Sequence, residues 1–217
     1  MADDEQMKTI EEALLALAGE KRFADIRPSD IAARAGIDLA DLRRSFDGPF
    51  DILESFARRI DIGVLAGGDP ELAGEPARER LRDVLMRRFD LLAPYRAGLA
   101  GLDRAARTDP LLACRLARIS VGSQNWMLEA AGVSTVGLTG RLRAPALAVS
   151  LGCLLSTFLD DAEPGLPKTM AALDKALDRL ERIDARVRWF EDLATRACDR
   201  ARRPSAAARE TAFDPSI

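Results

Sequence analysis

The chain has 217 residues, of which 47% are apolar, 5% aromatic and 31% charged, with a formal net charge of −3. That length supports a sizeable core in one or two domains, and the dominance of Ala, Leu, Arg, Glu and Asp favours helices and their caps over strands. A sequence pI near 5.3 excludes a global basic field, so any contact with nucleic acid must come from a local patch. Histidine is absent, which removes the commonest general base and the commonest transition-metal ligand.

In chain order, Ile10, Ala13, Leu14, Leu17 and Ala18 keep helical spacing and predict a first amphipathic helix over 6–19. Pro28 opens a short second helix, which stops at Gly36, a residue able to adopt a left-handed turn. Asp38 is the expected N-cap of a third helix, Leu39–Ser45. Pro49 starts a fourth, carrying Phe50, Leu53, Phe56, Ala57 and Ile60 on one face and ending near Gly67-Gly68-Asp69-Pro70. This Gly/Pro cluster is the expected domain boundary.

Beyond it, Pro76–Leu92 is periodic, with Arg88 interrupting the apolar face, and Pro94 breaks it. Helices are expected over Tyr95–Arg107, from Asp109-Pro110 to about Ala131, and over Leu142–Leu159. Gly132–Gly140 is expected to be a loop, and Pro167 opens a long last helix. The expected fold is therefore all-α with about nine helices. Its parts are a module over 1–48, a connecting helix over 49–68, a helical domain over 69–203 and a disordered tail over 204–217.

Cys114, Cys153 and Cys198 are odd in number, far apart and without a CxxC pair. They are expected to be reduced, buried, small apolar residues of a cytoplasmic protein. The acidic opening Asp3-Asp4-Glu5 lacks the positive charge of a secretory signal. Ala144–Leu159, the longest weakly charged stretch, contains Pro145 and Gly152 and is shorter than a bilayer span. It is expected to be a buried helix and not an integral membrane segment. No GxSxG, Walker A, Rossmann or HExxH pattern occurs, so no catalytic residue, cofactor or metal site is expected. The adjacent acids Asp3-Asp4, Glu11-Glu12 and Asp160-Asp161 read as solvated faces or caps.

A short helix, a glycine turn and a second short helix form a helix-turn-helix pattern, in which the second helix lies in the DNA major groove. The string Ile31-Ala32-Ala33-Arg34-Ala35-Gly36-Ile37, then Leu42, Phe46, Ile52 and Leu53, resembles the N-terminal domain of TetR-family transcriptional regulators over about residues 8–60. Ala32 and Ala35 let the helices approach, while Ile31, Ile37, Leu42 and Phe46 form an apolar plug. The resemblance implies a ligand-responsive regulator, a repressor, that binds a double-stranded DNA operator. It also implies a variable helical domain that binds a ligand and dimerises through its last two helices. The family usually has a hydroxyl residue capping the second helix, Tyr on the third and Lys opening the fourth; this sequence has Arg27, Arg43 and Pro49. Arg27, Leu39, Arg43 and Arg44 are the expected DNA contacts, since Arg grips phosphate and reads guanine. Residues 1–60 nevertheless hold nine basic and thirteen acidic side chains, a net charge of −4.

More loosely, Val84–Tyr95, Trp126, and Asp160-Asp161 running into Lys168-Thr169-Met170 resemble the TetR-fold accessory protein of ubiquinone biosynthesis and its bacterial relatives. That resemblance implies the alternative function, binding of lipid or isoprenoid without DNA. On either reading, Met86, Phe89, Leu92, Tyr95, Trp126, Met127, Leu155 and Phe158 are candidates to line an apolar pocket for an apolar or amphipathic ligand. Leu173, Leu177, Leu180, Ile183, Val187 and Phe190 form the expected dimer stripe on the last helix.

Overall fold

The computed structural model describes residues 4–202, with side chains as far as Arg186, Leu138 excepted. Among these residues the chain forms nine α-helices and no strand: α1 (Asp4–Glu20), α2 (Pro28–Ala35), α3 (Leu39–Ser45), α4 (Pro49–Ala66), α5 (Ala77–Leu92), α6 (Arg96–Ala106), α7 (Pro110–Ala130), α8 (Gly137–Asp160) and α9 (Pro167–Arg202). The tail expected over 204–217 and the side chains of Val187, Phe190 and Cys198 lie outside the described residues.

Local chemistry explains the boundaries. At the start of α2 the Asp30 carboxylate accepts the Arg27 amide at 2.9 Å, and Gly36 ends the helix at φ 70, where a side chain would be strained. The Asp38 carboxylate accepts the Asp41 amide at 2.7 Å and so caps α3. Asp109 caps α7 through the amides of Leu111 and Leu112, both at 3.0 Å. C-terminal carbonyls, which helices leave unpaired, are claimed by arginines from neighbouring helices. Arg87 donates to Val64 O at 3.0 Å, Arg80 to Ala131 O at 2.9 Å and Arg96 to Asp161 O at 2.7 Å. Each cation sits where the helix dipole favours it.

Two expectations require correction at α8. The helix starts at Gly137, five residues before the predicted Leu142. Gly137 turns the chain at φ 82, and Gly140 packs on the Thr135 backbone with no room for a side chain, so a stretch that reads as loop is helical. Lengthened in this way, Thr139–Asp160 is by length and apolarity alone long enough to cross a bilayer, and only 33% of it is buried. It is not the buried core helix that the sequence suggests.

One continuous apolar cluster runs from Ile10 on α1 through Phe56, Leu85, Leu112 and Phe158 to Leu177 on α9. α1 packs on α2, α4 and α6, while α7, α8 and α9 pack in succession. The N-terminal helices are therefore built onto the rest of the molecule along α1, α4 and α6.

Candidate functional site

The helix-turn-helix forms as its residues predict. Ile31, Ala32, Leu42 and Phe46 are buried beneath α2 and α3, and Ile37 is half-buried. The opposite face of α3 presents Leu39, Arg43 and Arg44 to solvent, with Arg27 exposed at the start of α2. The acids on this surface do not stand unpaired against phosphate. Arg43 Nη1 donates to Asp47 at 2.5 Å, and Arg44 pairs with Asp41. With the arginine side chains 70% and 71% exposed, such pairs contribute little and exchange readily for other anions. Behind them, Lys21 pairs with Asp30 at 2.6 Å and Arg34 with Glu20 at 2.5 Å. These hydrogen bonds hold both carboxyls below their ordinary values.

This module is locked to the remainder in two ways. First, α6 lies directly on α1. A Cβ on Gly98 would sit 2.5 Å from Leu15 O, and one on Gly101 would overlap Ala18 O, so the backbones touch only because both positions are glycine. Second, the Glu11 carboxylate on α1, 1% exposed, accepts Ser55 Oγ at 2.7 Å and Arg59 Nε at 2.5 Å, both from α4. The Arg59 guanidinium lies over the Phe56 and Tyr95 rings and donates to Tyr95 OH at 3.4 Å. Tyr95 OH in turn donates to Glu12 at 2.9 Å. Burial works against the Arg59 charge, but the bonds to Glu11 and Tyr95 outweigh it and raise its pKa. α1, α4 and the turn before α6 are thus tied through one charged network.

None of the eight residues expected to line a pocket lines either of the two clefts described below. Phe89, Met127 and Phe158 are buried in the packed core, with the Phe89 and Phe158 rings 4.9 Å apart. Met86, Leu92 and Leu155 are half-buried at its margin. Tyr95 belongs to the α1–α4 network, and Trp126 points outward, 57% exposed. Deep in the same core, Asp61 on α4 accepts hydrogen bonds from Arg88 on α5 and Ser123 on α7, all three buried. Gln124, 1% exposed, keeps its Oε1 without a hydrogen-bond partner.

Two clefts open elsewhere. One, of about 650 Å³, lies where the end of α1 meets the α6–α7 turn, between Lys21, Arg22, Arg104 and Asp109. The other, of about 610 Å³, lies among the start of α5, the end of α7, the first half of α8 and the middle of α9.

No protein-family model matches the sequence, and no curated protein matches it. Solved structures do. A TetR transcriptional regulator from Nitrosomonas europaea superposes with a TM-score of 0.63 at 18% identity, covering 82% of this chain and 99% of its own. One from Rhodococcus sp. RHA1 gives 0.55 at 20% identity, covering 83% and 97%. A TetR-family regulator from Streptomyces coelicolor gives 0.50 at 16% identity, covering 94% and 100%. The chain has the TetR-regulator fold. Because the likeness spans nearly the whole of each of these proteins, it includes the long helices as well as the helix-turn-helix.

Within that fold, several features escape a sequence reading. Glu11 and Asp161 are fully buried, not solvated as adjacent acids suggest. Asp161 accepts both the amide and the hydroxyl of Thr169, at 2.8 and 2.9 Å. Burial opposes the Asp161 charge, but the Thr169 bonds and nearby Lys168 prevail and lower its pKa. Cys114 and Cys153 are exposed on the outer faces of α7 and α8, contrary to the expectation of buried thiols. Among the described residues no cluster of three or more His, Cys, Asp or Glu is placed to hold a metal ion.

Proposed function

We propose that the chain is a ligand-responsive transcriptional regulator, a repressor, that binds a DNA operator as a homodimer in the cytoplasm and performs no chemical step. The observation that carries this reading is the exposed outer face of α3, with Leu39, Arg43 and Arg44 beside Arg27, on a module gripped by α6 through Gly98 and Gly101. Residues 1–48 are the reading head, 49–68 the connecting helix and 69–203 the ligand-binding and dimerisation domain. Phosphate oxygens displace Asp41 and Asp47 from the two arginines, and Leu39 makes apolar contact with base edges.

The dimer rests on α8. Pro145, Val149, Cys153 and Ser156 recur at three- and four-residue spacing and are all exposed. In water such an apolar helix face calls for a partner. A second copy related by a two-fold axis supplies one, as a four-helix interface of α8 and α9. A ligand in the second domain displaces α6, and α6 moves α1 and the reading head with it. Because two heads must fit half-sites about one helical turn apart, that displacement releases the operator.

Selection of bound duplexes from a random pool tests the proposal. The expected result is enrichment of a two-fold symmetric sequence with half-sites spaced by about one turn. Recovery of no enriched sequence at low salt would overturn it.

A further inference from the structure

The cleft among α5, α7, α8 and α9 has an apolar floor and a charged lip. Leu81, Leu128, Leu147 and Leu177 are buried beneath it, while Leu142 and Ile183 at its mouth are about half exposed, at 50% and 46%. At about 610 Å³ it falls within the size range of small-molecule sites. From its lining we infer that this cleft, and not the packed core around Phe89 and Phe158, is the effector site, and that its ligand is an uncharged amphiphile with a hydroxylated head and an apolar tail. The inference rests on the ligand-responsive reading above.

The lip decides the head group. Both arginines that line the cleft are already committed. Arg143 donates to the Asp184 carboxylate at 2.8 and 3.1 Å and to Ser134 O at 2.6 Å. Arg78 donates to Asp178 at 2.6 Å and to Glu79 at 3.0 Å, with Glu181 3.7 Å away. Neither of these two guanidiniums is free to neutralise an incoming carboxylate or phosphate, which would face Asp184 and Glu181. Burying it there is costly. A hydroxyl, by contrast, donates to the Glu181 carboxylate, whose nearest approach to Arg78 is 3.7 Å, without bringing charge. The tail then covers the buried leucines, and the exposed Leu142 and Ile183 close over it.

The test uses 1-monodecanoylglycerol and dodecanoate below their critical micelle concentrations, with binding to the full chain read by isothermal titration calorimetry in the absence of DNA. Failure here is thereby separate from failure to bind an operator. The neutral ligand is expected to bind saturably and at least tenfold more tightly than the anion. Ala146→Trp, which fills the cleft from the α8 wall, is expected to lose that binding at least tenfold while keeping the helical circular dichroism and the dimer mass. Asp184→Asn releases Arg143 from its carboxylate and is expected to raise dodecanoate affinity at least tenfold. Tighter binding of the anion by the unaltered chain, undiminished glycerolipid binding by Ala146→Trp, or unchanged selectivity in Asp184→Asn would each overturn the inference. Dissociation of the dimer by Ala146→Trp would overturn it too, by making the cleft part of the subunit interface.

Discussion

Substituting Gly98 by Ala tests the seam between α6 and α1. In an exposed helix interior, Gly→Ala stabilises by about 1 kcal/mol through backbone entropy. At Gly98 the added Cβ would meet Leu15 O at 2.5 Å, the Leu15 Cβ at 2.9 Å and the Leu15 carbonyl carbon at 3.0 Å. Two of these are main-chain atoms that no rotamer change can move, so the helices must separate by roughly 0.5–1 Å, a gap that forfeits a quarter to a half of the dispersion energy across the seam. Overpacking of this kind costs about 1–3 kcal/mol. Set against the propensity gain, Gly98→Ala should be about 1 kcal/mol less stable than the parent, lowering Tm by about 2–4 °C in a chain of this size. Gly101→Ala, whose Cβ would overlap Ala18 O, should lose more. Gly122→Ala on α7 has nothing within 4 Å of the new carbon and should gain stability. Calorimetric melts of the three variants provide the measurement. The sign is decisive: if Gly98→Ala melts higher than the parent, in step with Gly122→Ala, the close approach of α6 to α1 is wrong.

Asp61→Ala leaves Arg88 buried without its counter-charge and should cost about 3–5 kcal/mol in urea unfolding. The double substitution Asp61→Leu/Arg88→Met should recover most of that loss, and a double variant as unstable as the single would contradict the pairing. Stability should be flat between pH 5.5 and 8, since the chain has no histidine. Asp161, Asp30 and Glu20 all have folded-state pKa values below their ordinary ones. Their contribution is therefore complete above the unfolded values, about 4, and is lost as pH falls through the lower folded ones. Melts across pH 2.5–8 should show Tm falling only below about pH 4; a fall between pH 7 and 5.5 would contradict this.

What the sequence reveals and what it hides follow from the range of each interaction. The helix-turn-helix is local: Pro28, Gly36 and Asp38 set its ends, and Ile31, Leu42 and Phe46 form its plug within sixteen residues. Glu11 reads as one of two solvated acids because its partner Arg59 is 48 residues away. Arg88 did carry a signal, since a cation interrupts the apolar face of α5 at a core position, but nothing nearby names Asp61 as the reason. Size and apolarity, which mark out the eight expected pocket residues, are shared by a packed core and a ligand cavity. Phe89 and Phe158 fill the core, and the open cleft is lined instead by leucines and ion-paired arginines from four separate helices. At α8, Gly137 and Gly140 read as loop because a local pattern cannot show that Gly140 is packed against Thr135.

On the proposed function, α3 reads DNA despite a module of net charge −4. The most direct test is the salt dependence of binding to the chain's own upstream DNA, comparing the parent with Arg43→Ala/Arg44→Ala by fluorescence anisotropy. The parent should bind, with log K falling linearly against log salt. The double variant should keep its fold and lose the specific complex, with any residual slope shallower by about 0.9 for each phosphate contact removed. An unchanged affinity and slope in the double variant, or no binding by the parent even at low salt, would contradict the account.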